Sequence, residues 1–401
     1  MKRWDIINRL IEVYGYNKYL EIGVDNPSIC FDKINIKQKT GVDPNGKATF
    51  KGTSDEFFKI NKKNKFDIIF IDGLHHCEQV IKDIENSLRV IMPNGSIVVH
   101  DCNPTTEAMQ LVPRIQGEWT GDVWKAWLHF RTNPDLSMHV LDTDYGVGVI
   151  RRGKQKPLEV KDPDYYSFEY NKHQWLNLIP VENQPISICI PTYEQYGHGV
   201  SKLKECLDSI FVQRGQYEVI ISDNSDNDSI QKLCESYKVR YFHNPVKGIS
   251  YNTNNAISKA SFKYIKPMYQ DDKFINKDAV NDISFALKFD QWLFSNGKGM
   301  DGSSKFYRNI VPVYTKDILQ GVNRLGMPSM MAYHKNDIEF DTKLKTRLDC
   351  DFYYQLKEIY GEPGYIKKQL IGARYWEHSQ SSKQGNFTKE EWPYLKKKHG
   401  L

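Results

Sequence analysis

Ile186-Ser187-Ile188-Cys189-Ile190-Pro191-Thr192-Tyr193-Glu194-Gln195 decides how this chain is read. Ile186, Ile188, Cys189 and Ile190 make a near-continuous apolar run, the pattern of a strand buried on both faces of a parallel sheet. Pro191 cannot donate to a ladder, so the strand is expected to leave the sheet there. The polar and aromatic residues after it suit a ligand crevice at the carboxyl end of a strand. Such a strand opens a domain, yet it lies near the middle of 401 residues. A complete domain is therefore expected before it.

The length allows two domains of ordinary size. Hydrophobic residues make up 40% and charged residues 26%, a globular balance that excludes disordered and membrane-spanning classes. No apolar run approaches the roughly 20 residues of a bilayer span, and residues 1–16 are charged and amphipathic, unlike a secretory signal. Seven scattered Cys give neither a disulfide ladder nor a zinc spacing. Reduced thiols and a cytoplasmic location are expected. The net charge of +5 is dispersed except for short Lys runs at 62–65 and 396–398. These read as solvated surface, and no nucleic-acid partner is expected.

Downstream of the opening strand, a helix over Gly199–Gln213 carries Leu203, Cys206, Leu207 and Ile210 on one face. Glu218–Ser222, Val239–Phe242 and Tyr264–Met268 read as further strands of a parallel sheet. Acidic clusters follow two of them, at Asp223–Asp228 and at Gln270-Asp271-Asp272. A diphosphate leaving group needs its charge neutralised, and a carboxylate-held cation does that. In this order the residues resemble a family 2 inverting glycosyltransferase of GT-A fold, over residues 185–385. The resemblance implies that Pro191, Thr192 and Tyr193 form the nucleotide-binding turn, with Tyr193 stacking on the base. It also implies that Asp223 reads the base or ribose, that Asp271 lies near the donor ribose or sugar, and that Asp272 holds Mg2+ or Mn2+. Gln270 stands where the family has the first acid of its Asp-x-Asp element. Arg347-Leu348-Asp349-Cys350-Asp351 resembles the acidic start of the acceptor-side helix. Asp349 is the implied general base, Asp351 competes with it, and a helix N-cap is the plainer role for Asp349. Trp376-Glu377-His378 resembles a segment whose His reaches the metal or diphosphate, and a structural His fits as well. The implied partners are a UDP- or dTDP-sugar donor and a saccharide acceptor. Residues 386–401 are expected as a basic C-terminal tail.

Upstream, Ile6, Ile7, Leu10, Ile11 and Tyr14 recur at helical spacing. Short strands are read at Tyr19–Ile22, Thr40–Val42, Phe66–Ile71 and Ser96–Val99, with a helix over Cys77–Ile91 and a turn at Met92–Gly95. Alternation of strand and helix implies a doubly wound parallel sheet. Four strand ends carry carboxylates: Glu21 before Gly23, then Asp43, Asp72 and Asp101. One such Asp is an ordinary turn residue; four in succession indicate a site. These residues, with Gly121–Trp127 and Asp144–Ile150, resemble a class I S-adenosylmethionine-dependent methyltransferase over residues 1–152. The resemblance implies that Glu21 and Gly23 hold the methionine part of the cofactor and Asp43 its ribose. The loop Gly23-Val24-Asp25-Asn26-Pro27-Ser28 lacks the family's further glycines. Among metal-dependent O-methyltransferases, Asp72 and Asp101 would hold Mg2+ or Mn2+, with His100 or Asn103 completing the shell. Asp72 also borders the cofactor site. His75 would be the general base for a sugar hydroxyl, or with His76 would merely start the following helix.

Residues 153–184 are rich in Pro, charge and aromatics and are expected as an ordered linker lying along both domains. The whole reads as an α/β protein of two domains, a Rossmann-like methyltransferase sheet and then a GT-A nucleotide-sugar domain. Both activities would serve one glycan, as in polysaccharide biosynthesis. The other reading keeps glycosyl transfer alone and makes the first domain a binding or packing module.

Overall fold

The structure is a computed structural model that describes residues 1–376 and 388–401. It divides into two compact units, Met1–Glu182 and Asn183–Leu401.

The strands of the first unit are β1 (Lys18–Ile22), β2 (Gln38–Asp43), β3 (Phe50–Lys51), β4 (Phe66–Ile71), β5 (Ile91–Val99), β6 (Leu136–Leu141), β7 (Val147–Arg152) and β8 (Leu178–Ile179). They form one sheet in the order β3-β2-β1-β4-β5-β7-β6-β8. The pairs among β1 to β5 are parallel, while β7 enters antiparallel between β5 and β6. The expected parallel sheet therefore holds for its first five strands only. Residues 142–146 are too short a connection for a parallel crossover, so β6 and β7 form a hairpin. The expected turn at Met92–Gly95 lies inside β5. There the register against β4 slips, with Ile91 opposite Phe66 and Ser96 opposite Ile68, so the extra residues bulge out.

The helices of this unit are α1 (Arg3–Tyr14), α2 (Ser54–Ile60), α3 (Cys77–Val90), α4 (Glu107–Gln110), α5 (Val123–Arg131) and α6 (Tyr165–Leu176). α1 buries Ile6, Ile7, Leu10, Ile11 and Tyr14, the positions its spacing predicts. Residues 153–184, expected as a linker, contribute α6 and β8 to this unit. Prolines 163 and 180 bracket α6 rather than interrupt it, and Asp164 caps it by accepting from the Ser167 amide. Phe168 packs on Trp124 with ring centroids 4.5 Å apart, and β8 pairs with β6.

In the second unit the strands are β9 (Ile186–Thr192), β10 (Tyr217–Asp223), β11 (Arg240–His243), β12 (Tyr264–Pro267), β13 (Lys273–Phe274), β14 (Trp292–Met300), β15 (Phe306–Ile310), β16 (Met331–His334) and β17 (Gly364–Arg374). Among the described residues the order is β11-β10-β9-β12-β16-β14-β17-β13, with β15 on β14. β9 to β12 are parallel, as expected; β16 runs antiparallel to both β12 and β14, so the sheet as a whole is mixed. The helices are α7 (Gly199–Phe211), α8 (Ser229–Tyr237), α9 (Ile249–Ser258), α10 (Ala279–Ala286), α11 (Leu348–Tyr360) and α12 (Thr388–His399). The expected basic tail is thus α12, and its Leu395 is fully buried.

β9 is buried along its whole length, and it does not end at Pro191. Backbone polar groups point alternately to the two sides of a strand. The Cys189 carbonyl accepts from Met268 on the β12 side, and the Thr192 carbonyl accepts from Asn224 on the β10 side. Pro191 therefore faces the β12 side, where β12 has already ended at Pro267. Its missing N–H leaves no rung unmade, and its pairing opposite Ser222 in β10 is undisturbed.

Candidate functional site

Each unit collects polar side chains at the carboxyl ends of its parallel strands. In the second unit a cavity of about 1010 Å³ opens there. Pro191, Thr192 and Tyr193 line one part of it and Asp271, Asp272 and Asp349 another. Those six expected site residues are brought together. Asp223 is not: it is fully buried behind Thr192. Its Oδ1 accepts from Thr192 Oγ1 at 3.0 Å and Ser225 Oγ at 2.7 Å, and its Oδ2 accepts from Tyr241 at 3.0 Å. Asp223 shapes the turn from behind, while Asn224 and Asp226 face the cavity.

Beyond Thr192 the chain is held by a side chain instead of a strand. Gln270 Oε1 accepts from the Tyr193 amide at 2.8 Å, and Gln270 Nε2 donates to the Tyr193 carbonyl at 3.1 Å. The carboxamide thus acts as one peptide unit of the strand that stopped at Pro267. Nε2 also donates to Gln195 Oε1 at 2.7 Å, and Gln195 Nε2 donates to Asp271 Oδ2 at 3.2 Å. Trp376 Nε1 reaches the same oxygen at 3.1 Å. A carboxylate at position 270 would set its oxygens against two acceptors, which explains Gln in place of the first acid. In Gln270→Glu the Tyr193 amide is expected to exchange its hydrogen at least tenfold faster, and unchanged exchange there would deny Gln270 this part.

Asp272 is almost fully buried. Its Oδ1 accepts from the Arg374 amide at 2.7 Å, while its Oδ2 has no hydrogen-bond partner among the described residues. Burial, with the charge of Asp271 added, pushes its carboxyl up to about 8. An orphaned oxygen at a cavity wall is a fitting ligand for a hard cation. Arg374 lines the cavity with its guanidinium donors engaged by Asp271 O, Asp301 O, Gly302 O, Glu205 and Ser304. Lys266, fully buried on β12, donates to the carbonyls of Pro267 and Ser329, and burial pulls it down to about 7.

Asp349 lies in the first turn of α11. It is not the N-cap, a position taken by Arg347. Asn323 Nδ2 donates to its Oδ2 at 2.7 Å and the Cys350 amide to its Oδ1 at 2.8 Å, and burial raises its pKa. The competing Asp351 turns away from the cavity. It binds Gln355, Lys398 at 2.9 Å and His399 at 2.7 Å. His378 lies outside the described residues.

In the first unit Asp72, His75 and Asp101 bring ligand atoms within 4.8 Å of one another. His75 Nδ1 lies 3.1 Å from Asp101 and its Nε2 lies 3.5 Å from Asp72. Its ring stacks on Trp119 at 5.3 Å. Burial lowers its pKa, but the two carboxylates outweigh burial and raise it to about 9. The helix N-cap is His76, so His75 is free of that role. Asp101 adopts φ 60°, a left-handed conformation that Asp tolerates better than most residues. His100 bridges two groups of charges: its Nδ1 lies 3.0 Å from Asp72 and 3.1 Å from Asp101, while its Nε2 faces Arg3 at 3.1 Å and Asp144 at 3.5 Å. Asn103 donates to Asp142 at 3.3 Å. Arg3 Nε approaches Asp72 at 3.4 Å, and Arg3 and Lys2 both bind Asp144. The paired histidines and Arg3 hold Asp72 well below the ordinary carboxylate range although burial opposes them.

Glu21 is buried beneath its loop, hydrogen-bonded by Tyr19, and burial pushes it up to about 8. Gly23 sits at φ 87°, and a Cβ there would meet the Asp72 carbonyl at 2.3 Å. Asp25 supplies a second left-handed residue at φ 43° in the loop that lacks further glycines. Asp43 accepts from the amides of Asp25 at 2.9 Å, Asn45 at 2.8 Å and Gly46 at 2.6 Å. Its carboxylate is thus largely satisfied by the chain itself.

Comparisons with known proteins bear on both units. Residues 187–280 match the model of glycosyl transferase family 2, and residues 29–102 match that of a methyltransferase domain. The chain joins a methyltransferase domain to a family 2 glycosyltransferase domain. The glycosyltransferase match spans the end of β9, the Asp223 turn and Asp272; the methyltransferase match spans Asp43, Asp72, His75 and Asp101. Among solved structures, TarS 1-349 from S. aureus in complex with UDP is 18% identical, with TM-score 0.39, covering 48% of this chain and 60% of that one. TarS 1-349 in complex with UDP-GlcNAc is likewise 18% identical, with TM-score 0.43, covering 53% of this chain and 64% of that one. This chain therefore spans less than two thirds of either TarS chain. No curated protein matches it.

Proposed function

We propose that the glycosyltransferase domain moves a sugar, with inversion, from a UDP- or dTDP-sugar to a saccharide hydroxyl, with help from Mg2+ or Mn2+. The observation that carries this is the buried, unpartnered Oδ2 of Asp272 in a cavity that also holds Tyr193 and Asp349. In this reading Thr192 and Tyr193 seat the nucleotide and Asp271 orients the donor sugar. Asp272 would hold the cation, whose charge would offset that of the leaving diphosphate. Asp349 takes the proton of the acceptor hydroxyl. The test is a thermal-unfolding screen of nucleotide-sugars with Mg2+, since a ligand that binds only the native state raises its stability. One class should raise the Tm by several degrees, and no shift with any donor would sink the reading.

For the methyltransferase domain we propose S-adenosylmethionine-dependent O-methylation of a sugar hydroxyl. Asp72, His75 and Asp101 would hold a cation that stabilises the alkoxide. This set takes His75 as a ligand in preference to a base, because both its ring nitrogens face carboxylates. S-adenosylmethionine supplies the methyl group when bound. Asp43 and the loop after β1 would seat it. The closure of loop amides over Asp43 favours the second reading, a binding or packing module beside an active glycosyltransferase. Calorimetric titration of S-adenosylmethionine into the full chain with Mg2+ separates them. Saturable heat, weakened about tenfold (~1.4 kcal/mol) by Asp43→Asn, is expected, and no heat would leave glycosyl transfer alone. The free state of all seven cysteines fits a reducing, cytoplasmic setting. Among the described residues no helix is long and apolar enough to cross a membrane.

A further inference from the structure

We infer that α12, through Glu391, positions the acceptor-side wall of the sugar-transfer cavity, an assignment that rests on reading Asp349 as the base. Residues 341–347 form no helix or strand, yet Thr342, Leu344, Lys345 and Thr346 line the cavity, and the run leads directly into Leu348 and Asp349 of α11. Irregular backbone must find partners for its amides. Here one side chain supplies three. Glu391 Oε1 accepts from Lys345 N at 2.7 Å and Thr346 N at 3.2 Å, and its Oε2 accepts from Arg347 N at 3.1 Å and Thr346 Oγ1 at 2.7 Å. These amides stand just ahead of α11, where the helix dipole also favours a carboxylate.

α12 grips the same wall at two further points. Tyr394 and Lys398 each donate to Asp341 at 2.7 Å, and Lys398 and His399 bind Asp351 in the first turn of α11. The buried Leu395 fixes the helix itself. The donor side is held otherwise: Tyr193 by Gln270, Thr192 by Asp223, and Asp272 by Arg374. Glu391 is thus a positioning residue for Asp349 and the acceptor, and its loss should spare the nucleotide.

The test uses the full chain with Glu391→Gln and Glu391→Ala. Glu391→Gln keeps the size and one acceptor oxygen, and Thr346→Val, which removes a single donor, serves if Glu391→Ala does not fold. Amide hydrogen exchange should speed up at least tenfold over residues 344–351 and stay unchanged over β9 and β10. The Kd of UDP with Mg2+ should stay within twofold, while kcat for hydrolysis of UDP-glucose and UDP-N-acetylglucosamine falls tenfold or more, less in the Gln variant than in Ala. Unchanged exchange over 344–351, or a loss that appears in the UDP Kd instead, would overturn the inference. Hydrolysis retained in Asp349→Asn would remove the base reading and leave the exchange result standing, so the two fail separately.

Discussion

Asp272→Asn will lower nucleotide-sugar hydrolysis and transfer by about 10²–10³-fold, the usual cost of losing one electrostatic stabiliser of a leaving group. The amide keeps the size of the side chain and its Oδ1 bond from Arg374, so the fold stays intact. Metal-free stability should move in the opposite direction. The folded-state pKa of Asp272 is raised above the unfolded value, to about 8. Such a group costs stability as pH climbs from the ordinary carboxylate range toward 8, and the cost is complete above that. Removing it should therefore raise the metal-free Tm at pH 8 and leave the Tm near pH 4 unchanged. Full activity in Asp272→Asn would show that Asp272 holds no cation needed for transfer, and a Tm that falls at pH 8 that it carries no costly buried charge.

The second large effect falls on Asp349. Asp349→Asn keeps one acceptor oxygen for Asn323, gives up the bond from the Cys350 amide and cannot take a proton, so transfer should drop by about 10²–10⁴-fold. Binding of the nucleotide, measured by titration of UDP with Mg2+, should stay within twofold because the base touches the acceptor and not the diphosphate. Asp351→Asn is the control. It weakens one of the ties to α12, so its effect should appear first in the melting temperature, with transfer lowered far less than in Asp349→Asn. If Asp351→Asn stops transfer in a folded protein while Asp349→Asn does not, the two roles are exchanged.

The elements that were legible in the sequence are those written as apolar runs or helical stripes. β9, β10 and β12 lie close to where the residues point because burial on both faces leaves little choice of side chain, and α1 and α3 because one buried stripe recurs at helical spacing. β14, β16 and β17 left no such trace. Trp292–Met300 carries two glycines and an asparagine, and Gly364–Arg374 carries three charged residues, although each runs through the second sheet. Their burial comes from neighbours far away in sequence, which a local pattern cannot register. The candidate sites divide in the same way. Asp72, Asp101, Asp271, Asp272 and Asp349 announce themselves as acids at strand or helix ends. Their partners do not: Arg3, Asn323 and Glu391 sit in ordinary helical or polar stretches and acquire meaning only by contact. Asp223 and Asp351 show the converse, since each carries the right chemistry at the right place in sequence and is then used up inside the protein.

Pro191 has a consequence for the shape of the cleft. Parallel strands tend to zip together until one of them runs out of matched donors and acceptors. On the β12 side the next donor in β9 would be residue 191, and proline has none. Past it, the rung at Tyr193 is claimed by the short arm of Gln270. With β12 ended, Pro191 bare of a donor and Tyr193 already taken, β9 offers that side no open rung on which the ladder could resume, and the cavity begins where the pairing stops.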